Sequence, residues 1–235
     1  MAFPFFYFPE LNNTQEPSTL DEETSRHIVQ VLRMQSGEEL RLTDGKGNLS
    51  RSIIHHANKK KCTVSHLSID HQYAPKRKIA IGISLIKNSS RFVWFLEKAT
   101  EIGISEIVPM ICERTEKKDL RTDRMQSILV SAMLQSQQSW LPELKEPVRF
   151  RNALETFRHH QKFIAYISDH HEAHLSDLIN SNLNSQIVLI GPEGDFTNEE
   201  IDLALLYNFL PAGLGPNRLR TETAALVALT LLNAE

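Results

Sequence analysis

Two glycine-containing loops near the C-terminus are the segments best suited to bind a ligand. The first is IVLIGPEGDF (187–196) and the second is LGPNRLRTETAALVAL (214–229). Glycine lets the backbone approach a ligand closely and leaves amide groups free to donate. In the second loop Arg218 and Arg220 supply cations, and Thr221 can cap a helix. Either loop alone could be a surface turn. Together they predict a cleft beyond the carboxyl ends of the strands of an α/β sheet.

Other ligand-binding motifs are missing from the sequence. It has no G-x-x-x-x-G-K-[ST] and no G-x-G-x-x-G after a strand, which argues against a P-loop and an ordinary dinucleotide fold. The segment HHEAH (170–174) superficially resembles a zinc motif, but His171 and His174 have one residue fewer between them than H-E-x-x-H requires. His170 and His174 could still share a helical face. We interpret the segment as a polar loop and predict no metal site.

Charge is distributed unevenly along the chain. The formal net charge is −3, yet the stretch from Arg41 to Arg91 has eleven basic residues and two acids, a local charge of +9, which leaves −12 for the remainder. A polyanion would therefore be attracted to one face and repelled elsewhere. The run of Lys59, Lys60 and Lys61 is most often a solvated hairpin tip. Inside the basic stretch we expect it to contact phosphates.

Composition predicts a folded protein of a reducing compartment. With 235 residues, 41% of them hydrophobic, the chain can bury the core of one large domain or two small ones. Cys62 and Cys112 cannot form a disulfide framework, and no C-x-x-C pair offers a zinc site. The start, MAFPFFYFPE, lacks the basic region of a signal peptide, and no uncharged apolar run approaches the roughly 18 residues of a membrane span. We expect a soluble, cytoplasmic protein.

The elements expected before residue 72 form a small, mostly β domain. The aromatic start (3–8) favours a strand, because β-propensity is high and flanking prolines disfavour a helix. A helix is predicted over 24–34. The stretch 39–54 is typical of a hairpin, with Gly-Lys-Gly at its turn, and 62–69 of a further strand. The polar segment DHQYAPKRK (70–78) then indicates a domain boundary.

From residue 78 onward, strands alternate with helices. Such alternation predicts an α/β domain with a mainly parallel sheet. The nearly continuous apolar run KIAIGISLI (78–86) indicates a strand covered on both faces. Thr197 and Glu200 have the spacing of a capping box. The other expected strands are EIVPMI (106–111), FIAYIS (163–168) and IVLIG (187–191), and the other expected helices are 91–102, 124–136 and 221–232.

The two loops resemble the signature of the SPOUT methyltransferases. GPEG followed by LGPNRLRTETAA is similar, in particular, to the RsmE-type 16S ribosomal RNA uridine-N3 methyltransferases. The resemblance extends to HIVQVLRM (27–34), DGKG (44–47) and LIKNSSRFVWFLEKATEIGISEIVPMICERT (85–115), so it covers nearly the whole chain. The LRTETA element is specific, whereas GPEG is shared more widely.

The resemblance implies an architecture that periodicity could not have suggested. It implies a PUA-like RNA-binding β-barrel over residues 1–72 and a SPOUT-type α/β methyltransferase domain over 73–235, whose chain forms a deep trefoil knot. It further implies a homodimer that binds S-adenosylmethionine in the knot and completes its active site across the subunit interface. Two positions depart from the family pattern. Asp195 stands where the family often reads GPEGG, and LQSQQ (134–138) lacks the arginine of an E-Q-x-x-R element.

The resemblance also implies roles for individual residues. The partner would be 16S ribosomal RNA or the small ribosomal subunit. The residues expected to contact RNA are Arg33, Lys59, Lys60, Lys61, Lys87 and Arg91. The residues expected to bind S-adenosylmethionine are Gly191, Pro192, Glu193, Gly194, Leu214, Gly215, Asn217, Leu219, Arg220 and Thr221.

Methylation of uracil at N3 requires removal of the proton that N3 carries. The N3 lone pair is delocalised into two carbonyls, so the nitrogen attacks well only as its proton leaves. A base can accept that proton, or a cation can stabilise the charge that develops on the flanking oxygens. Glu222 suits the first role and Arg220 the second. Alternatively, Arg220 could pair with Glu193, and Glu222 could simply favour the dipole of a helix start.

Two other functions compete with this interpretation. A non-catalytic RNA-binding protein with a degenerate second domain is one, although the retained cofactor loops argue against it. A SPOUT methyltransferase acting on another RNA, such as transfer RNA, or on ribose is the other, and only the family resemblance argues against it. Binding of S-adenosylmethionine separates the first alternative from an enzyme.

Overall fold

The computed structural model describes residues 3–11, 17–167 and 172–234. It divides into two units, of which one comprises Met1–Ala74 with Met133–Leu141 and the other comprises Pro75–Ala132 with Pro142–Glu235. The short segment Met133–Leu141 therefore belongs by its contacts to the N-terminal unit, although it lies among the C-terminal elements in the sequence.

Five strands form the sheet of the N-terminal unit: β1 (Phe5–Tyr7), β2 (Ser18–Thr19), β3 (Glu39–Thr43), β4 (Asn48–His56) and β5 (Thr63–His71). Their order is β1-β3-β4-β5-β2, with β1 parallel to β3 and the other pairs antiparallel. The predicted opening strand and hairpin are confirmed. Over the described residues no ladder joins β1 to β2, so the expected β-barrel is a half-barrel. Its core includes Phe6, Phe8, Leu40, Leu42, Ile54 and Val64.

The helix predicted over 24–34 is wrong in both its bounds and its type. Helix α1 (Glu22–Arg26) begins earlier, because the Asp21 side chain accepts a hydrogen bond from the Thr24 amide at 2.9 Å. It continues as a π-helical turn (His27–Val31), which buries Ile28 completely. Arg33 then adopts the left-handed region, with φ of 57°, and ends the helical segment.

The DGKG turn between β3 and β4 holds the segment Met133–Leu141. Asp44, which is almost fully buried, accepts hydrogen bonds from both the backbone and the side-chain nitrogen of Asn48. Gly47 has φ of +91°, and a Cβ there would lie 2.6 Å from the Trp140 ring. Both conditions require glycine. The DGKG turn therefore packs directly against the indole of Trp140, which lies about 90 residues further along the chain.

Seven further strands form the sheet of the C-terminal unit: β6 (Lys78–Ser84), β7 (Glu106–Ile111), β8 (Glu143–Leu144), β9 (Val148–Arg149), β10 (Gln161–Ala165), β11 (Ser185–Ile190) and β12 (Leu210–Pro211). Their order is β12-β10-β11-β6-β7, with β8 and β9 both paired to β7, and every pairing is parallel. Strands β6 and β11 are buried along nearly their whole length, as their apolar runs predict. The predicted α/β class with a parallel sheet is confirmed.

Six helices accompany this sheet: α2 (Ser89–Ile102), α3 (Thr122–Gln135), α4 (Phe150–Thr156), α5 (Leu175–Leu178), α6 (Asn198–Leu206) and α7 (Thr221–Asn233). Helix α2 is capped by Asn88 and ends at Gly103, whose φ is 95°. The predicted capping box of Thr197 and Glu200 is confirmed at the start of α6. None of the helices in the described part of the chain has the length and apolarity that a membrane crossing needs.

Between its last strand and its last helix, the chain returns across the sheet. Strand β12 lies at the edge beyond β10, yet α7 packs against β11, β6 and α2. Before the return, the Gly213 amide donates to the Ala173 carbonyl, and the Gly213 carbonyl accepts from the Leu175 amide, both at 2.9 Å. These bonds fix the start of the 214–220 loop beside the carboxyl ends of β10 and β11.

Candidate active site

A cavity of about 860 Å³ lies at the carboxyl ends of β10, β11 and β12. Its volume falls in the range typical of small-molecule sites, and its place at the ends of neighbouring parallel strands is where α/β folds bind ligands. The predicted residues that line it are Gly191, Pro192, Glu193, Leu214, Gly215, Asn217, Leu219, Arg220 and Thr221. The structure thus brings together both glycine-containing loops.

One buried hydrogen bond ties the two loops to each other. The Thr221 hydroxyl donates to the Gly191 carbonyl at 3.1 Å, and both residues are buried. The prediction that Thr221 caps the last helix is wrong. Arg220 occupies the N-cap position and makes no side-chain capping bond, while Thr221 is the first residue of α7. The Thr221 hydroxyl therefore connects the loops instead of satisfying the helix start.

Asp195 has the backbone conformation of a glycine. Its φ is 63°, a left-handed value that aspartate tolerates better than most residues. One carboxylate oxygen accepts from the Ile167 amide at 2.7 Å and the other accepts from the Phe196 amide at 2.8 Å. Position 195 therefore keeps the turn that the GPEGG pattern would form. The side chain additionally connects the end of β10 to the loop after β11.

The three glycines of the two loops have different surroundings. A Cβ at Gly191 would lie 3.1 Å from both Asp195 and the Phe196 ring, so this glycine is required by packing inside the loop. Gly194 lies outside the cavity, and its carbonyl accepts from Arg114 at 2.6 Å. Gly215 has φ of +117°, and a Cβ there would meet nothing within 4 Å. Gly215 lines the cavity, and its positive φ rather than local packing favours glycine at this position.

The cavity has the chemical features that S-adenosylmethionine requires. In the described part of the chain, the backbone N–H groups of Gly215, Asn217 and Leu219 have no acceptor within the protein, so they are available to a ligand. The cavity also has apolar side chains that can contact an adenine ring and acidic side chains that can lie near a positively charged sulfonium. The apolar lining residues include Ile190, Pro192, Leu214, Leu219 and Ala224, and the acidic ones are Glu172, Glu193 and Asp195.

Sequence reasoning missed the residues that follow β10 and precede the second loop. Tyr166, Ile167, Glu172, His174, Ala212 and Gly213 also line the cavity. The Tyr166 hydroxyl donates to Glu172 at 3.3 Å, and burial, followed by the Glu172 charge, raises the pKa of Tyr166. The phenol therefore stays protonated and able to donate at neutral pH. The sequence did hold one signal for some of them: Tyr166, Ile167 and Glu172 follow the apolar run of β10, which pairs with β11.

A second, smaller cavity of about 340 Å³ lies beside the first. Arg220 is a lining residue of both cavities. The smaller cavity combines two cations, one carboxylate and one indole. Its lining residues are Ser90, Arg91, Trp94, Arg220, Glu222 and Thr223.

The two residues expected to be catalytic have contrasting surroundings. Glu222 is 6% exposed, and one of its carboxylate oxygens lies 3.6 Å from Nε of Arg91. Arg220 is exposed and, among the described residues, has no ion-pair partner. The alternative that Arg220 pairs with Glu193 is wrong, because no ion pair joins these two side chains in the described residues, and one Glu193 oxygen accepts instead from the Lys87 amide at 3.2 Å. Arg220 is therefore free to meet a substrate.

The residues expected to contact RNA fall into two groups. Lys59, Lys60 and Lys61 are exposed on the loop between β4 and β5, where the Asn58 side chain accepts from the Lys60 amide at 2.8 Å. Arg33 is exposed on a neighbouring loop, which Ser36 joins to Ala57 by a 3.2 Å hydrogen bond. These four cations therefore lie at one end of the half-barrel.

The other group lies in the C-terminal unit. Lys87 forms an ion pair with Glu116 at 2.6 Å, and the hydrogen bond of this pair raises the pKa of Lys87. Arg91 contacts Glu222. Both cations are thus already engaged with carboxylates, and Arg91 contributes to the smaller cavity.

The metal question concerns the HHEAH segment. His170 and His171 lie outside the described residues, and the His174 ring is within 2.7 Å of the Ser176 hydroxyl. Across residues 3–11, 17–167 and 172–234, no three His, Cys, Asp or Glu side chains are grouped as metal ligands.

Comparison with known proteins agrees with this geometry. Residues 73–233 match the family of RNA methyltransferase domains, and residues 20–65 match the RNA methyltransferase PUA domain. Ribosomal RNA small subunit methyltransferase E of Synechocystis sp. is 30% identical over 239 residues, which cover 100% of this chain and 78% of the relative.

Solved structures extend the match to the fold. A probable rRNA methyltransferase from Porphyromonas gingivalis has a TM-score of 0.90 at 36% identity, with 98% of each chain covered. Ribosomal RNA small subunit methyltransferase E from Neisseria gonorrhoeae, bound to S-adenosyl methionine, has a TM-score of 0.87 at 30% identity, with 99% of this chain and 98% of that chain covered. The chain therefore belongs to the ribosomal RNA small subunit methyltransferase E family.

Proposed function

We propose that the protein transfers a methyl group from S-adenosylmethionine to N3 of a uridine in 16S ribosomal RNA of the small ribosomal subunit, in the cytoplasm. The observation that carries this proposal is the pair of adjoining cavities that share Arg220. The larger has the shape and loops of a cofactor site. The smaller presents a carboxylate and cations to a second reactant.

The chain's own residues supply what the reaction needs. Bound S-adenosylmethionine supplies an electrophilic methyl group, and the displacement depends mainly on approach geometry. Glu222 accepts the N3 proton, and Arg91 holds this carboxylate in place. Arg220 stabilises the negative charge that develops on the uracil oxygens as the proton leaves.

S-adenosylmethionine is held, in this proposal, by the predicted cofactor residues that line the larger cavity, with Arg220 contributing through its backbone while its side chain serves the uracil oxygens. Gly194 acts indirectly, because the Arg114 contact to its carbonyl fixes the first loop. The backbone amides of Gly215, Asn217 and Leu219 provide the donors. No metal takes part.

Gly215→Val is expected to lower the affinity for S-adenosylmethionine by about 10-fold or more. A β-branched residue at φ of +117° carries strain of about 1–3 kcal/mol, which we expect to distort the loop that lines the cavity. The matched control is Gly103→Val, which has φ of +95° and an equally open Cβ position at the end of α2. Titration calorimetry on both folded variants measures the effect. Equal affinities would contradict the placement.

The proposed architecture includes a deep trefoil knot and a homodimer. The return of the chain from β12 across the sheet to α7 supports the knot, because α7 comes to lie over strands that precede β12 in the chain. We further propose that residues 1–72 act as the RNA-binding domain and 73–235 as the methyltransferase domain. The homodimer is proposed from the family resemblance.

The cations at one end of the half-barrel are proposed to bind RNA phosphates. Replacing all three lysines of 59–61 by alanine is expected to flatten the dependence of log K on log salt concentration by about 2 to 3, since each phosphate contact contributes about 0.7 to 0.9. S-adenosylmethionine affinity is expected to stay the same. Filter binding of 16S ribosomal RNA at several salt concentrations measures the slope.

A matched control removes three exposed cations from the C-terminal unit. These residues are Lys118, Arg124 and Arg151. The control is expected to keep the wild-type slope. An unchanged slope in the 59–61 variant would exclude those lysines from phosphate contact.

The decisive experiment maps the methyl group. Small subunits from a strain lacking the gene are incubated with the protein and labelled S-adenosylmethionine, and the 16S ribosomal RNA is read by reverse transcription. Methylation at N3 blocks base pairing, so a new stop is expected at a single uridine. Label without a stop would indicate another atom, and label in transfer RNA alone would overturn the substrate. A protein that binds no cofactor would be a pure RNA binder.

A further inference from the structure

The smaller cavity contains an aromatic ring that the proposed chemistry has not used. Helix α2 buries Phe92, Phe95 and Leu96 almost completely, yet Trp94 on the same helix is 45% exposed. Its indole lines the cavity together with Glu222 and Arg220. The exposed indole therefore gives the cavity an aromatic face next to a buried carboxylate.

The polar groups of this cavity match one nucleobase edge. Uracil presents an acceptor, a donor and an acceptor at O2, N3–H and O4. A carboxylate accepts from the central N–H, and guanidinium groups donate to oxygens. Glu222 supplies that carboxylate, while Arg91 and Arg220 supply the guanidinium groups. Cytosine, whose N3 is an acceptor, would place a lone pair against the carboxylate.

We propose that this cavity binds the uracil ring of the target nucleotide, with the Trp94 indole as its stacking face and Arg91 as the residue that positions Glu222. The inference rests on the proposed function and names the subsite that function requires. A base is chemically accessible here only when it has left its helical stack, and aromatic side chains commonly receive such bases.

The location of Arg220 places the base next to the cofactor. Because Arg220 lines both cavities, a ring stacked on Trp94 in the smaller cavity lies next to the cofactor cavity. One guanidinium can then contact a uracil oxygen at the boundary between base and cofactor. Stacking on Trp94 fixes the plane of the uracil ring, so that the edge of the ring that contains N3 can face the cofactor.

The kinetic test uses Trp94→Ala and Trp94→Phe. The alanine variant is expected to lower kcat/KM for 16S ribosomal RNA by about 5- to 150-fold, the range measured for loss of one base–aromatic stack. The phenylalanine variant, which keeps a ring, is expected to remain within about threefold of wild type. S-adenosylmethionine affinity is expected to be unchanged in both. Leu206→Ala, which removes an exposed apolar side chain from α6, is the matched control.

A fluorescence test requires no turnover. The chain has two tryptophans, so Trp140→Phe leaves Trp94 as the sole reporter. Hexauridylate is expected to quench this protein more strongly than hexacytidylate does. Absent quenching, or equal quenching by the two oligonucleotides, would overturn the uracil subsite.

The remaining outcomes separate the inference from the proposed function. If wild type methylates 16S ribosomal RNA and Trp94→Ala has the same kcat/KM, the subsite is wrong and the function stands. If wild type methylates no ribosomal RNA, the proposed function fails. If Trp94→Ala converts a dimer to monomers in sedimentation equilibrium while Trp94→Phe does not, a second copy of the chain covers the indole and the uracil subsite is overturned.

Discussion

The Arg220→Ala variant is expected to methylate 16S ribosomal RNA about 10²- to 10³-fold more slowly than wild type in single turnover. Removing one preorganised donor from a site of developing negative charge typically has an effect of this size. The structure strengthens the expectation, because Arg220 is exposed, lines both cavities and has no ion-pair partner among the described residues. Quenched-flow measurement of methyl incorporation gives the rate.

The same variant is expected to melt at nearly the wild-type temperature and to bind S-adenosylmethionine with similar affinity. Arg151→Ala, which removes an exposed arginine from α4, provides the comparison for loss of one surface cation. A large loss of cofactor affinity in Arg220→Ala would make this residue a ligand clamp. Loss of the fold would make it a structural residue.

The Glu222→Gln variant is expected to lose about 10²-fold or more of the single-turnover rate at neutral pH. General-base catalysis commonly contributes 10²- to 10⁴-fold, and glutamine keeps the shape of the side chain but cannot take the N3 proton. Raising the pH is expected to narrow the gap between variant and wild type, because hydroxide can then remove the proton. A pH profile of the rate therefore separates loss of a base from loss of packing.

Two controls sharpen the assignment of Glu222. Glu222→Asp keeps a carboxylate and is expected to recover part of the rate. Arg91→Lys keeps a cation near Glu222 but replaces the planar guanidinium, and we expect an intermediate rate. A constant deficit of Glu222→Gln at every pH would contradict proton transfer and leave Glu222 as a partner of Arg91.

The sequence predicted the elements that local pattern determines. Period-2 and period-3.6 runs located most long strands and helices, and the two glycine loops located the cavity, because strand ends in a parallel sheet meet at one edge. The π-helical turn at His27–Val31 was missed since its apolar residues differ little from those of an α-helix. Two-residue strands such as β8 and β12 have too few positions to show a period.

Individual side-chain roles were harder to predict because they depend on distant partners. Thr221 has the residue type of a cap, yet its hydroxyl bonds to Gly191, thirty positions away. Asp195 departs from the family's glycine, and only its positive φ and its bond to Ile167 explain how the turn survives. Trp94 lies off the apolar stripe of α2, on the side of Arg91 and Lys98, so periodicity places it outside the core, and its exposure agrees. Its position beside Glu222 and Arg220 depends on how α2 packs against α7, which the sequence does not show.

The discontinuous N-terminal unit has a consequence for folding during synthesis. Gly45 and Gly47 are shaped to receive Leu141 and Trp140, so this part of the protein lacks its final contacts until residue 141 has left the ribosome. At typical elongation rates of about 5–20 residues per second, the first 74 residues wait several seconds for that segment. Meanwhile, β6, β7 and α3 emerge. Part of the C-terminal unit is therefore synthesised before the N-terminal unit is complete. A protein truncated after Ala74 would lack Trp140 and expose the surface of the DGKG turn that the indole covers.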